Sequence, residues 1–358
     1  MRVILRQALW TISTSMLLYG VLFAGAFARF PPGRDRPQID TQEVRHTIFM
    51  TEPRYVALGL DPLAKPGKKI ILLGGSTVRE GFRQAPLQAA LPGYEVHNLG
   101  IGAGNITEVA QTFQFVTESV TAASLRESVV VIGLFYGQFV DDETRWRGGE
   151  TSLMKERLRY GLYRRRGGEV LPIAGPEVMS ALDVLLRPVL FVHSWIASPA
   201  IQIGATHVEA VVNRLVHAHG IDLSAFTWDP PPVDEATRAR ALEAWQAYMG
   251  TPDGTLRDQQ FEALVGLCER IDQTGARLLL VGMPLPEWHR NGSGYTKAYQ
   301  QKMEAVLARV SVRRVEYFDM IAAMPDSDFY DSAHPLPSAA PRWVAMLAGR
   351  LSQLVHQE

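Results

Sequence analysis

The sequence predicts an α/β fold, a doubly wound parallel sheet, and three observations predict it. Residues 70–73 form a short apolar run that meets Gly74-Gly75 and then turns into a helix near Val78. Residues 128–136, reading SVVVIGLFY, are apolar on both faces, as a central parallel strand must be. Short strand-like runs alternate with helical segments around these two, and the alternation resumes near the C-terminus. Crossover βα units feeding one parallel sheet leave this pattern.

The N-terminus is a separate element. Arg2 and Arg6 precede a charge-free run over 7–28, and about twenty apolar residues suffice to span a bilayer as helix. Residues 1–29 therefore read as a transmembrane anchor. A cleaved signal peptide competes, because Ala24-Gly-Ala26 and Ala26-Phe-Ala28 resemble cleavage sites. The run exceeds a usual signal h-region, which favours the uncleaved anchor. Arg29, Arg34 and Arg36 flank its far side as heavily as Arg2 and Arg6 flank the near one, so charge counting does not fix orientation. The short head and long tail favour a translocated, extracytoplasmic C-terminal domain. Residues 30–68, opening Pro31-Pro-Gly-Arg-Asp-Arg-Pro37, read as linker and lead-in.

The domain proper is expected over 69–358. After the first strand-turn-helix, 94–98 is a second strand. It ends in the glycine-rich turn Asn98-Leu-Gly-Ile-Gly-Ala-Gly104, which leads to a helix near 108–117. Residues 128–136 supply the third strand. A mainly helical insert over 141–275 then interrupts the alternation. It carries a basic run at 155–166 and an apolar helical stretch at 184–203, where Arg187, Pro188, His193 and Pro199 argue against a second span. That stretch has two readings: a face lying on a membrane or membrane partner, or a helical cap over the sheet. The run Arg164-Arg-Arg166 reads as a solvated face or a lipid-headgroup contact. Helices are expected from Asp234 to about 248 and over 256–274. A strand at 277–283, a helix at 295–310, a strand at 312–318 and a final helix at 338–356 complete the chain.

Composition removes several function classes. Of 358 residues 47% are hydrophobic and 20% charged, and the net charge of −1 offers no field for a nucleic acid. The lone Cys268 allows neither a disulfide framework nor a cysteine metal site, and reads as a core residue. His207, His217 and His219 lack the i, i+4 spacing of a helical zinc site, so no metal is expected.

Two stretches carry chemistry. Ser76 follows strand-Gly-Gly at the C-terminal edge of the sheet, where open α/β sheets bind ligands. Its plain alternative is a helix N-cap. Asp331-Ser-Ala-His334 precedes the last helix. Aspartate three residues before histidine lets one loop supply an imidazole and the carboxylate that orients it, leaving Nε2 to take a proton from serine. Both stretches fall at the same sheet edge, so a triad of Ser76, His334 and Asp331 is expected. His97 reads as a core or edge histidine. His289 reads as a solvated loop histidine or a substrate contact, and Asp141 and Asp142 as a solvated strand end.

Together these blocks resemble the SGNH/GDSL superfamily of esterases and acyltransferases. Gly74-Gly-Ser-Thr77 is similar to its first block, Asn98-Leu-Gly-Ile-Gly-Ala-Gly104 to its second, and Asp331-Ser-Ala-His334 to its fifth. The resemblance implies a flavodoxin-like sheet and oxyanion donors at Gly102 or Gly104, with Gly100 as the turn. The third block departs from its usual Gly-x-Asn-Asp: Phe135-Tyr-Gly-Gln138 stands there, and Gln138 is the candidate replacement donor. The anchor, the Gly-Gly-Ser-Thr turn and Met283-Pro-Leu-Pro-Glu287 are most similar to membrane-tethered members that act beside membrane-bound O-acyltransferases. Those of alginate O-acetylation and of D-alanyl transfer to lipoteichoic acid are examples. This implies extracytoplasmic, periplasmic or cell-surface, transfer of an acyl group, acetyl foremost, to a cell-envelope polysaccharide or polymer. The route runs through an acyl-serine with no metal or organic cofactor. An esterase using the same site, and a catalytically weak polysaccharide- or partner-binding scaffold, are the alternatives.

Overall fold

The computed structural model describes residues 2–29, 63, 66–102, 104–140, 163–166, 169–172, 230–249, 255–310 and 315–355. The expectations for the 31–37 linker, for Asp141 and Asp142, for 184–203, and for His207, His217 and His219 lie outside the described residues. So does the basic run before Tyr163.

In chain order the described helices are α1 (Arg2–Arg29), α2 (Ser76–Gly81), α3 (Gln84–Ala90), α4 (Ile106–Ser119), α5 (Ala122–Arg126), α6 (Glu235–Met249), α7 (Asp258–Thr274), α8 (Glu287–Gly292), α9 (Thr296–Val310) and α10 (Ala340–Val355). The strands are β1 (Lys69–Gly74), β2 (Glu95–Asn98), β3 (Val129–Leu134), β4 (Tyr163–Arg166), β5 (Glu169–Pro172), β6 (Arg277–Gly282) and β7 (Val315–Asp319). Five of them form one all-parallel sheet in the order β2-β1-β3-β6-β7. Every residue of β1 and β3 is buried, which explains their unbroken apolar runs. One helix group packs α7 against α4 and α9; another packs α10 against α2 and α3. The order turns back at β1, so the crevice between the C-terminal ends of β1 and β3 is the switch point where such sheets bind ligands.

Close packing brings α2 down onto that crevice. Gly74 has φ +140°, and a Cβ there would lie 2.6 Å from Val78 Cγ2 and 2.7 Å from the Gly133 carbonyl. A side chain on Gly133 in β3 would meet Val78 at 2.2 Å and Met283 Sδ at 2.6 Å. Val78, one turn into α2, thus fills the gap two glycines leave. Beyond it, Gly81 leaves room for the fully buried Trp343 of α10, whose ring would stand 2.3 Å from a Cβ. Trp343 also packs edge-on to Phe82 and Phe329. Asn98, at the end of β2, donates to the carbonyls of Val78 and Phe82 at 3.1 and 2.8 Å, fastening the α2 end to the sheet edge.

The insert differs from its expected outline in two ways. Residues 163–166 and 169–172 pair antiparallel, with Arg166 opposite Glu169, so the arginine run stands in a strand. The two residues between read Gly-Gly, a hairpin signal that the charge pattern obscured. The helix expected at 256–274 forms as α7 but packs on α4, α9 and β6 as a crossover helix, outside the insert. The Arg257 N–H donates to the Phe139 carbonyl at 2.7 Å, closing the interruption where it began. Cys268 is buried in α7.

The side chains described on α1, at positions 3–21 and 24, are exposed. Among the described residues no helix is long and apolar enough to cross a membrane.

Candidate active site

Gly75, with φ −80° and ψ −172°, is the N-cap of α2, and Ser76 is its first helical residue. The plain capping role read for Ser76 therefore falls to Gly75, whose carbonyl accepts from Val78 N at 3.1 Å. The Ser76 hydroxyl is bonded elsewhere. Its Oγ donates to His334 Nε2 at 2.6 Å, across 258 positions of sequence. On the other side of the ring, His334 Nδ1–H donates to Asp331 Oδ2 at 2.7 Å. The carboxylate fixes the tautomer, so Nε2 faces the serine as an acceptor.

The loop that holds His334 is internally braced. Asp331 Oδ1 accepts from the Ala333 and His334 N–H groups at 2.8 and 2.7 Å. Burial pushes the Asp331 carboxyl up, but the His334 imidazole and these N–H groups outweigh it and hold the group below its ordinary value. The loop folds back on itself through Tyr330 N to the His334 carbonyl and Leu336 N to the Asp328 carbonyl. Asp328 receives Arg342 of α10 at 2.7 Å. Tyr330 lies nearly parallel to the His334 ring, 5.6 Å between centroids and 14° between planes, and donates to Glu80 of α2 at 2.7 Å. The segment before α6 also reaches this loop, with Val233 N donating to the Phe329 carbonyl at 3.2 Å.

Beyond β3 a 3-10 turn, Tyr136–Phe139, replaces the expected strand end. Gln138 is fully buried there. Its Oε1 accepts from Phe135 N at 3.0 Å, while its Nε2 has no partner among the described residues. That nitrogen lies 3.8 Å from where a Cβ on Gly75 would stand, and the equally unpartnered Thr77 Oγ1 lies 3.9 Å from it. A buried polar atom left unsatisfied costs about 1–3 kcal/mol. Two such atoms flank the residue before Ser76. Sequence reasoning reached Gln138 but missed Thr77, which reads as an ordinary first-turn threonine.

The glycine-rich turn divides its work. Gly100 gives its N–H to Asn98 Oδ1 at 2.9 Å, and a Cβ on it would crowd Arg79 N at 2.8 Å. Ile101 N donates to the Gly74 carbonyl at 2.9 Å. Gly104 is packed against the Ile101 side chain, 2.4 Å from a built Cβ, beside the Asn105–Glu108 capping box of α4. Gly102 is the half-buried residue between them.

No protein-family model matches this chain, and no curated protein matches it.

Two histidines outside the triad take definite places. His97 is buried on β2, with Nε2 3.6 Å from Glu95 Oε2, an ion-pair distance that is long for a hydrogen bond. His289 differs from both its expected readings: it is fully buried in α8. Its Nδ1–H donates to the Ser332 carbonyl and its Nε2 accepts from the Tyr136 hydroxyl. Burial pulls its pKa down to about 4, against the Ser332 bond and the Asp331 charge, so the ring is neutral at physiological pH. Burial also pushes the Tyr136 phenol up, so that it stays a donor. Among the described residues no group of three or more His, Cys, Asp or Glu side chains stands ready to hold a metal.

Proposed function

We propose that this protein transfers acyl groups through Ser76, as an SGNH-type O-acyltransferase on a flavodoxin-like sheet. The single observation that carries the reading is the unbroken chain Ser76 Oγ, His334 Nε2, His334 Nδ1, Asp331 Oδ2, with links of 2.6 and 2.7 Å. In the proposed step Ser76 Oγ attacks the carbonyl carbon of an acyl donor and passes its proton to His334 Nε2. Negative charge gathers on the former carbonyl oxygen, where Gln138 Nε2, the Thr77 hydroxyl and the Gly102 N–H are the candidate donors. The tetrahedral species collapses, the leaving group takes the proton from His334, and an acyl-serine remains. An acceptor hydroxyl then repeats the sequence in reverse, giving its proton to His334 and receiving the acyl group. No cofactor enters this chemistry.

The acceptor class follows from the proposed setting: a membrane-anchored, extracytoplasmic domain acylating a cell-envelope polysaccharide, beside a membrane-bound O-acyltransferase as donor. Exposed apolar side chains on α1 support the anchor, among them Ile4 at 71% and Trp10 at 69% exposure. A full span on this reading also uses α1 positions beyond 21, where the uncharged run continues. An esterase reading is favoured by one observation: the His334 side chain is 20% exposed, so water has access to the base.

One experiment separates the two. The full-length chain is given an activated acetyl ester with and without an O-deacetylated envelope polysaccharide. The proposal expects acetyl on glycan hydroxyls at the expense of free acetate. Acetate release unaffected by the glycan would make the protein an esterase.

A further inference from the structure

We infer that His289 is a positioning residue that ties the base-bearing loop to the turn carrying Gln138, so that the two halves of the site keep one register. The inference rests on the acyl-transfer reading of Ser76. Sequence gives no reason to join 136, 289 and 332, which come from three connections of the sheet; the fold brings them together behind the triad.

The imidazole has one partner on each side. Ser332, whose carbonyl accepts from Nδ1–H, lies between Asp331 and His334. Tyr136, whose hydroxyl donates to Nε2, opens the 3-10 turn two residues before Gln138. Both bonds demand the neutral ring with its proton on Nδ1, and a buried network fully satisfied in this way has one arrangement. The rings around it prevent rotation. Tyr136 is stacked on Tyr295 at 5.1 Å and meets Trp245 edge-on at 5.1 Å, while Trp245 stands 4.8 Å from His289.

A histidine that only filled core space would need no tie to this loop. The loop itself supplies the complementary half of the tie: Asp331 satisfies the Ala333 and His334 N–H groups from within, and His289 takes the Ser332 carbonyl from without. Removing that outside bond frees the segment between the acid and the base. Near-attack geometry is sensitive to such freedom, and about 1 Å of misplacement costs about 100-fold.

The test uses the full-length chain with Tyr136→Phe, His289→Asn and His289→Leu. Tyr136→Phe deletes one hydroxyl. Asparagine keeps a donor near the Nδ1 position and loses the tyrosine link, and leucine loses both bonds. Ser76 acylation by an activated ester is expected to fall by about tenfold or more in kcat with KM little changed, in the order Leu worst and Asn intermediate. The apparent pKa of the base, read from the pH profile, is expected to shift in the same order, which a loss of packing alone would not cause. Amide exchange at Ala333 and His334 should quicken most in His289→Leu, which loses the Ser332 bond outright. Folded variants with unaltered exchange and pH profile would overturn the inference. A parent chain that never acylates Ser76 would instead sink the acyl-transfer reading, and the exchange measurement would still decide whether His289 holds the loop.

Discussion

A methyl group on Gly75 would stand 3.6 Å from Phe135, 3.8 Å from Gln138 Nε2 and 3.9 Å from Thr77 Oγ1, all ordinary contacts. Its backbone, at φ −80°, suits any residue. Gly75→Ala is therefore expected to cost no more than about 1 kcal/mol, from the N-cap preference for Gly over Ala, while placing a methyl beside the two unpartnered donors. If a carbonyl oxygen binds there, Ser76 acylation slows; an unaffected rate would move the oxyanion elsewhere. Gln138→Leu is the companion change. Loss of one oxyanion donor costs roughly 100-fold in kcat, and the Phe135 N–H left without an acceptor costs about 1–3 kcal/mol of stability. Asp331 adds a pH signature. Its folded pKa is held down, so its stabilising contribution is complete above the ordinary value of 3.8 and is lost as pH falls through the lower folded value. The difference in denaturation midpoint between the parent and Asp331→Asn should shrink over that acid range. Ser76, Asp331 and His334 were legible in sequence because turn glycines and an i, i+3 spacing announce them. Tyr330 and His289 were not, because each acts through a neighbour that only the folded chain supplies, and Thr77 was not, because only the fold sets its hydroxyl and the Gln138 amide around Gly75.

At the scale of elements, the first strand pair is clamped by charge. Lys69 is fully buried and reaches Glu95 of β2 at 3.0 Å. The neighbouring His97 imidazole leads in drawing the Glu95 pKa down to about 2, with Lys69 adding to it against burial. The pair's contribution is thus complete above about pH 4.5 and fades as pH falls toward 2. Because Glu95 is 40% exposed, solvent screens part of it. Glu95→Gln should lower stability at neutral pH and converge with the parent in strong acid, as followed by urea denaturation. Gly81→Ala tests the other helix layer: the methyl would strike Trp343, and overpacking of this kind costs about 1–3 kcal/mol. Both parallel strands and crossover helices were readable from period and apolar runs. The β4–β5 hairpin was hidden by its arginines, and the far edge of the insert by α7, whose amphipathic pattern is the same whether it packs on a sheet or within an insert.

At the scale of the molecule, the strand order places Ser76 after β1 and Gln138 after β3, the two sides of the switch point. The base arrives from the loop before α10, and the insert returns to the same edge through Val233 and Trp245. This convergence makes a covalent mechanism the central claim, and one measurement addresses it directly. The full-length chain is incubated with an activated acetyl ester, quenched in acid, and its peptides are mapped by mass. The account expects one acetyl group on Ser76, none in Ser76→Ala, and strongly slowed labelling in His334→Ala with folding intact. A binding scaffold would leave Ser76 unlabelled. Absence of label on Ser76 in a folded protein, or equal labelling of the Ser76→Ala chain, would contradict the account.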